Sequence, residues 1–188
     1  MNCRLIQNIK HGCQYDAGGI NALYLLDIDS FVAYEFAGDM LYDECFAQKI
    51  RVASDYVELD IVGESNFKET YDNGIYRQQL TTYIRSLEGQ KLSQLLKVAS
   101  GKYLVVFRTP QGRAFSFGAD GGAGITFGQQ TGQIGETSGY SITLSKNSLY
   151  PLLEVDVDEV NKSPRWVMDD GTWNGNGVWT RDDKWKTI

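Results

Sequence analysis

Between Arg77 and Leu87 polar and apolar positions alternate. Leu80, Thr82 and Ile84 fall on one face and Gln79, Thr81, Tyr83 and Arg85 on the other, the two-residue period of a half-buried strand. The period then lengthens. Leu92, Leu95, Leu96 and Ala99 follow the i, i+3, i+4, i+7 spacing of a short amphipathic helix, and Gly101 stands where a helix stop is expected. Tyr103-Leu-Val-Val-Phe107 is a continuous apolar run of strand length. Thr109-Pro-Gln-Gly112 turns it into a further strand, Arg113 to Phe117, since proline suits the second position of a type I turn and glycine the fourth. The middle of the chain thus predicts strand, helix and hairpin in that order.

On the N-terminal side, Val57, Leu59 and Ile61 alternate with acids in a strand over 57–62, and Asp72-Asn73-Gly74 is a turn signal before the strand at Arg77. Residues 56–87 therefore read as one long hairpin. Its far end, Ser65 to Tyr76, sets Phe67, Tyr71, Ile75 and Tyr76 among charges. A two-stranded ribbon is marginal in water, and strand edges that persist are covered or paired, so these four residues are expected to contact another subunit. An exposed, mobile hairpin is the plainer alternative. Ile20 to Leu26, after Gly18-Gly19, reads as a strand, with Asp27-Ile-Asp-Ser30 a turn or short helical start. Residues 2–12 have no assignable pattern. Phe31 to Ile50 carries aromatics and acids without a firm period, which predicts loop and short elements. Beyond the glycines that follow Phe117, Tyr140 to Leu144 alternates as a strand. Leu149 to Val155 is the last strand, with Pro151 marking a start or an edge.

The chain has 188 residues, 42% hydrophobic and 22% charged, with 20 glycines and 3 prolines. That length suits one domain with an appendage, and the glycine excess favours tight turns between strands. A formal charge of −6 and a pI near 4.8 argue against a protein that grips nucleic acid by its phosphates, which requires clustered Lys and Arg. Three cysteines, Cys3, Cys13 and Cys45, and no recognisable export signal predict folding in a reducing cytoplasm. No apolar run is long enough to span a bilayer, so no membrane insertion is expected.

Several stretches invite a chemical reading. The glycines from Asp120-Gly-Gly-Ala-Gly124 to Gly135 suggest a phosphate cradle, but no Gly-Lys-Ser/Thr enters a helix and the segment leads into a strand, so turns, bulges and close strand crossings fit better. His11 with Cys3 and Cys13 lacks a fourth zinc ligand and the paired spacing. Asp27 with Asp29, and Asp156 with Asp158 and Glu159, are neighbouring acids on exposed strands and not two groups facing across a cleft. Gly63-Glu64-Ser65 starts like a nucleophile elbow, but Phe67 stands where its second glycine belongs. No catalytic, cofactor-binding or metal-binding residue is assigned, and the chain is read as not an enzyme.

From residue 158 the pattern changes. Trp166, Trp173, Trp179 and Trp185 recur at intervals of seven, six and six, and they are all four tryptophans of the chain. The intervening glycines and asparagines forbid a long helix, so short strands and turns are expected. The rings either dock on a neighbouring subunit, where tryptophan is a favoured anchor, or form a platform for sugar rings. Docking is the preferred reading. The chain thus divides into a β domain, residues 1–157, and a Trp-rich C-terminal extension, residues 158–188.

The order Gln78-Gln-Leu-Thr-Thr-Tyr-Ile-Arg, the helix Leu92 to Ala99, Gly101-Lys-Tyr-Leu-Val-Val-Phe, the Gly112 turn, Phe117-Gly118, Thr131-Gly, Ser138-Gly-Tyr-Ser-Ile-Thr-Leu and an ending at Val155 resembles the tail-tube-like structural proteins of bacteriophages. It is most similar to those of Bacteroides phages, including crAss-like phages. The resemblance covers roughly residues 18–157. It implies a β-sandwich or small barrel flanked by one α-helix, a long protruding hairpin and a hexameric ring. It makes Leu92 to Ala99 the flanking helix and Ser65 to Tyr76 the hairpin that reaches a neighbour. The implied role is a virion tail tube, terminator, completion or hub protein, assembled in the host bacterial cytoplasm with copies of itself and other tail or connector proteins. DNA would pass through without sequence-specific binding, and an acidic lumen would repel its phosphates. No cofactor is implied. A carbohydrate-binding module built on the tryptophans is the alternative.

Overall fold

The apolar run that begins at Tyr103 forms a central strand buried on both faces. The computed structural model describes residues 18–36, 45–61, 65–131 and 138–156, and the backbone alone of 177–179 and 185–187. The elements are β1 (Ala22–Asp27), β2 (Phe31–Phe36), β3 (Phe46–Val52), β4 (Val57–Leu59), β5 (Asn66–Asp72), β6 (Ile75–Arg85), α1 (Gly89–Ala99), β7 (Tyr103–Arg108), β8 (Ala114–Phe117), β9 (Gly124–Gln130), β10 (Gly139–Ser148) and β11 (Leu153–Val155). The fold is mainly β with a single α-helix among the described residues. A seven-stranded sheet has the order β2-β3-β11-β8-β7-β1-β4, and a four-stranded sheet the order β5-β6-β10-β9. All neighbours are antiparallel except β11 and β3. β12 (Gly177–Trp179) and β13 (Trp185–Thr187) pair with each other. No helix among the described residues is long and apolar enough to cross a membrane.

The larger sheet must curl. β1 and β2 are joined by a 3-10 turn of only three residues, Ile28–Ser30, whose first amides are capped by the Asp27 carboxylate accepting from the Asp29 N–H at 3.1 Å. Yet β2 is first in the sheet and β1 sixth. In a flat sheet, strands five places apart would be separated by roughly 24 Å. Four Cα steps reach at most roughly 15 Å. The sheet therefore rolls until its ends approach, although no ladder joins β1 to β2 among the described residues. Its concave side gathers Leu26, Ala47, Ile50, Leu104, Val106, Ala114 and Val155 from five strands, and the Tyr34 hydroxyl reaches across from β2 to the Ser116 hydroxyl on β8 at 2.7 Å. On the convex side Leu23, Leu25, Val105 and Phe107 meet Leu80, Ile125, Ile142 and Leu144 of the smaller sheet. β7 thus sends Leu104 and Val106 to one cluster and Val105 and Phe107 to the other, which is why its apolar run has no gaps.

Helix α1 carries the chain from the small sheet to the large one. Leu95 is buried and Leu92 and Val98 pack on the shared core, but Leu96 is 58% exposed. The covered stripe is narrower than the expected Leu92, Leu95, Leu96 and Ala99, because one side of the helix remains in solvent. The Tyr140 hydroxyl donates to the Glu88 carbonyl at 3.0 Å and fixes the helix entrance. Hydrogen bonds from Lys91 and Ser86 hold the Glu88 carboxyl below its ordinary range. The turn after β7 forms as read, with the Gly112 N–H donating to the Thr109 carbonyl at 3.0 Å and Gly112 at φ +83°.

Three expectations are corrected. Val57–Leu59 does not extend the later hairpin; it pairs with β1, Tyr24 opposite Glu58, in the other sheet. The 31–50 stretch supplies two strands, β2 and β3, whose alternation is broken by register shifts near Phe31 and Glu35. The β5–β6 hairpin does not stand alone either, because β10 runs beside β6 as far as Ser148 opposite Tyr76. Only the Asp72–Ile75 pair and the Asn73-Gly74 turn of the hairpin lie past that point.

The glycine loop between β8 and β9 links strand to strand. Tyr103 and Ala123 exchange backbone hydrogen bonds of 3.1 and 2.7 Å. A Cβ on Gly118 or Gly122 would come within 2.9 Å of the Tyr103 backbone, and both residues have positive φ. Only glycine lets the chains approach this closely.

Candidate assembly surfaces

The hairpin end is built by alternation. Phe67, Glu69 and Tyr71 on β5 stand opposite Leu80, Gln78 and Tyr76 on β6, so all six point to the face that holds the core. Outward along the ribbon the core runs out. Phe67 rests on it, with ring centroids 5.1 Å from Phe107 and 5.3 Å from Phe117. Glu69 and Gln78 form its polar margin. The Glu69 carboxylate accepts from the Gln78 side-chain amide and from the Leu152 N–H, both at 2.8 Å, and Gln78 also donates to the Tyr150 carbonyl at 3.2 Å. These bonds clamp the crossover from β10 to β11 onto the ribbon. Beyond them the Tyr71 and Tyr76 rings meet with centroids 4.8 Å apart and planes tilted by 43°, and Tyr71 is 65% exposed.

Of the four hairpin residues expected at a subunit contact, the structure brings Tyr71 and Tyr76 together. It places Ile75, opposite Asp72, on the other face of the ribbon, and it removes Phe67 to the chain's own core. Two residues escaped the sequence reading. Leu149 and Tyr150 follow the last pair of β10, beside Tyr76, and both are exposed. The signal was available in the register: continuing the β6–β10 pairing from Leu80 opposite Leu144 carries the chain to the ribbon's end at residue 148. Trp179 and Trp185 are direct cross-strand partners, while Trp166 and Trp173 lie outside the described residues. Cys3, His11 and Cys13 lie outside them as well, as do Asp158 and Glu159. Asp27 serves as the cap already described.

The second surface is the solvent face of the four-stranded sheet. Its cross-strand rows are Asn66–Thr81–Thr143–Thr126 and Lys68–Gln79–Ser145–Gly124, with Tyr83–Ser141–Gly128 beside them. Hydroxyls, amides and glycines dominate. Lys68, Arg77 and Arg85 are its charged members, with Asp72 paired to Arg77 at 3.3 Å. Among the described residues no strand pairs with the outer edge of β5 or of β9. β5 carries Lys68, Glu69 and Asp72, charges of the kind that discourage edge pairing, whereas β9, Gly-Ile-Thr-Phe-Gly-Gln-Gln, carries no charge and no proline.

No family model, curated protein or solved structure matches the chain.

Proposed function

We propose that the chain is a non-enzymatic structural subunit of a phage-type tail, with a tail-tube-like body in which the two sheets form an open sandwich flanked by α1, closing into a hexameric ring with copies of itself. The observation that carries this reading is the uncharged open edge of β9. An edge without protecting charges can be completed head to tail by a different surface of the next copy, and repetition of that contact with rotation closes a ring. The aromatic end at Tyr71, Tyr76, Leu149 and Tyr150 would then meet a stacked ring or a connector. The polar face of the four-stranded sheet would line the conduit through which DNA passes in the virion. That face holds almost none of the chain's acids, so hydroxyls and amides, and not negative charge, would keep passage smooth. The resemblance to phage tail-tube-like proteins, in the order of elements between residues 18 and 157, supports the same reading.

The test is light scattering and negative-stain microscopy on the full chain, alone and with tail partners. Rings are expected, and Thr126→Lys with Gln130→Lys should abolish them while the circular-dichroism spectrum is kept. A chain that stays monomeric at high concentration and with those partners contradicts the proposal. A second reading, glycan capture by the C-terminal extension, is favoured by one observation, the pairing of Trp179 with Trp185, which sets two indoles at facing register positions. It predicts quenching of tryptophan fluorescence by saccharides, lost when the chain ends at Asp158.

A further inference from the structure

We propose that the hollow between the glycine loop and the end of β10 is an oxyanion site that takes a phosphate group. The hollow has a volume of about 340 Å3, and Lys102, Lys146, Ser145 and Asn147 line it around three glycines. The glycines matter because of what stands over them. A Cβ on Gly124 would lie 3.1 Å from the Lys102 ammonium, and one on Gly121 would lie 3.6 Å from that of Lys146. Two cations therefore flank a floor stripped of side chains. Ser145 and Asn147 add a hydroxyl and an amide, both able to donate, and no carboxylate belongs to the lining. A tetrahedral oxyanion, with several acceptor oxygens and one or two charges, is the ligand class such a donor set suits.

The two lysines differ. Lys146 donates to the Asp120 carbonyl at 2.6 Å and lies 3.7 Å from its Oδ1, so part of its charge is balanced from outside the hollow, and Asp120 Oδ2 is itself held by the Leu149 N–H at 3.1 Å. Lys102 has no ion-pair partner among the described residues. It is consequently the residue whose charge an incoming anion would neutralise. The glycine loop does not act through a helix N-terminus, since β9 follows it; it acts by leaving room. With a net charge of −6 the chain as a whole repels anions, so binding here is short-ranged and weakens with salt.

The site is tested on the full chain by NMR. Inorganic phosphate titrated against chloride at matched ionic strength should give saturable shifts at the amides of Gly121, Gly122, Gly124 and Ser145. Lys102→Gln should weaken that binding about tenfold, the loss of one charge-assisted contact. Gly124→Ala, at a position without positive φ, should weaken it by crowding the ammonium. Lys97→Gln, on the exposed side of α1, should change nothing. A short DNA duplex in a parallel titration separates the sources. Shifts at the same amides at lower concentration assign the site to phosphodiesters, and shifts with phosphate alone assign it to the free anion. Shifts that do not saturate, or that survive Lys102→Gln unchanged, overturn the proposal.

Discussion

The two sheets solve the burial problem in opposite ways. The seven-stranded sheet is apolar on both sides at its centre: β7 feeds one cluster on its concave face and another on its convex face, and the curl imposed by the three-residue link from β1 to β2 encloses the first. The four-stranded sheet buries one face only. Its other face is a field of Thr, Ser, Asn and Gln with Lys68, Arg77 and Arg85, and no element among the described residues covers it. The first sheet finds apolar support on both faces within one chain. The second finds it on one face only, its buried side ends at the Tyr71–Tyr76 ring pair, and no further strand pairs with its outer edges among the described residues.

This difference is most sharply tested where the sheets share residues. Phe107 projects from β7 into the cluster between them and touches Phe67, Phe115 and Phe117. Phe107→Ala should cost about 3–5 kcal/mol by urea denaturation, with both sheets melting in one transition. Separate transitions for the two sheets would show that the shared core is not what couples them. Next in size is Gly122→Ala. It places a methyl within 2.9 Å of the Tyr103 backbone at φ +79°, so the loss should exceed about 2 kcal/mol and concentrate where β7 meets the start of β9. A change near zero would mean that the crossing relaxes freely.

A smaller and more local effect is expected from Glu69→Ala. It leaves the Leu152 N–H and one Gln78 amide bond without their acceptor, at roughly 1–3 kcal/mol. Hydrogen exchange should quicken across residues 149–153 while β7 stays protected. Uniform quickening instead would place the clamp in the global fold and not at the margin of the small sheet.

The same contrast explains what could be read beforehand. β6, β7, β8 and β10 follow plain periods because each lies inside a ladder with a steady environment on either face. β2 and β3 were illegible: their register shifts interrupt the alternation, and their support comes from β11, a hundred residues away in the chain. Val57–Leu59 looked like half of the nearest hairpin because turn signals are local, whereas its partner β1 lies thirty residues back. Phe67 was assigned to a surface for a related reason. Alternation places it with Tyr71 on one face of β5, but where along that face the other sheet stops is a tertiary fact.

The mildest test concerns the inside of the curl. Tyr34 spans it, and burial pushes its phenol up from the ordinary 10.0, the hydrogen bond with Ser116 acting in the opposite direction. Removing the hydroxyl in Tyr34→Phe leaves Ser116 unpartnered and should cost about 1 kcal/mol at neutral pH. The sign of the pH effect then follows from proton counting. Above pH 10 the unfolded phenol ionises while the folded one does not, so the folded state holds the extra proton. Wild-type stability therefore falls by up to roughly 1.4 kcal/mol for each further pH unit from this group. The variant lacks that loss, so its disadvantage should shrink and then reverse as pH rises past 10. Denaturation curves for the two proteins that stay parallel through that range would show that Tyr34 ionises in place, and that the curled sheet is open to water on its concave side.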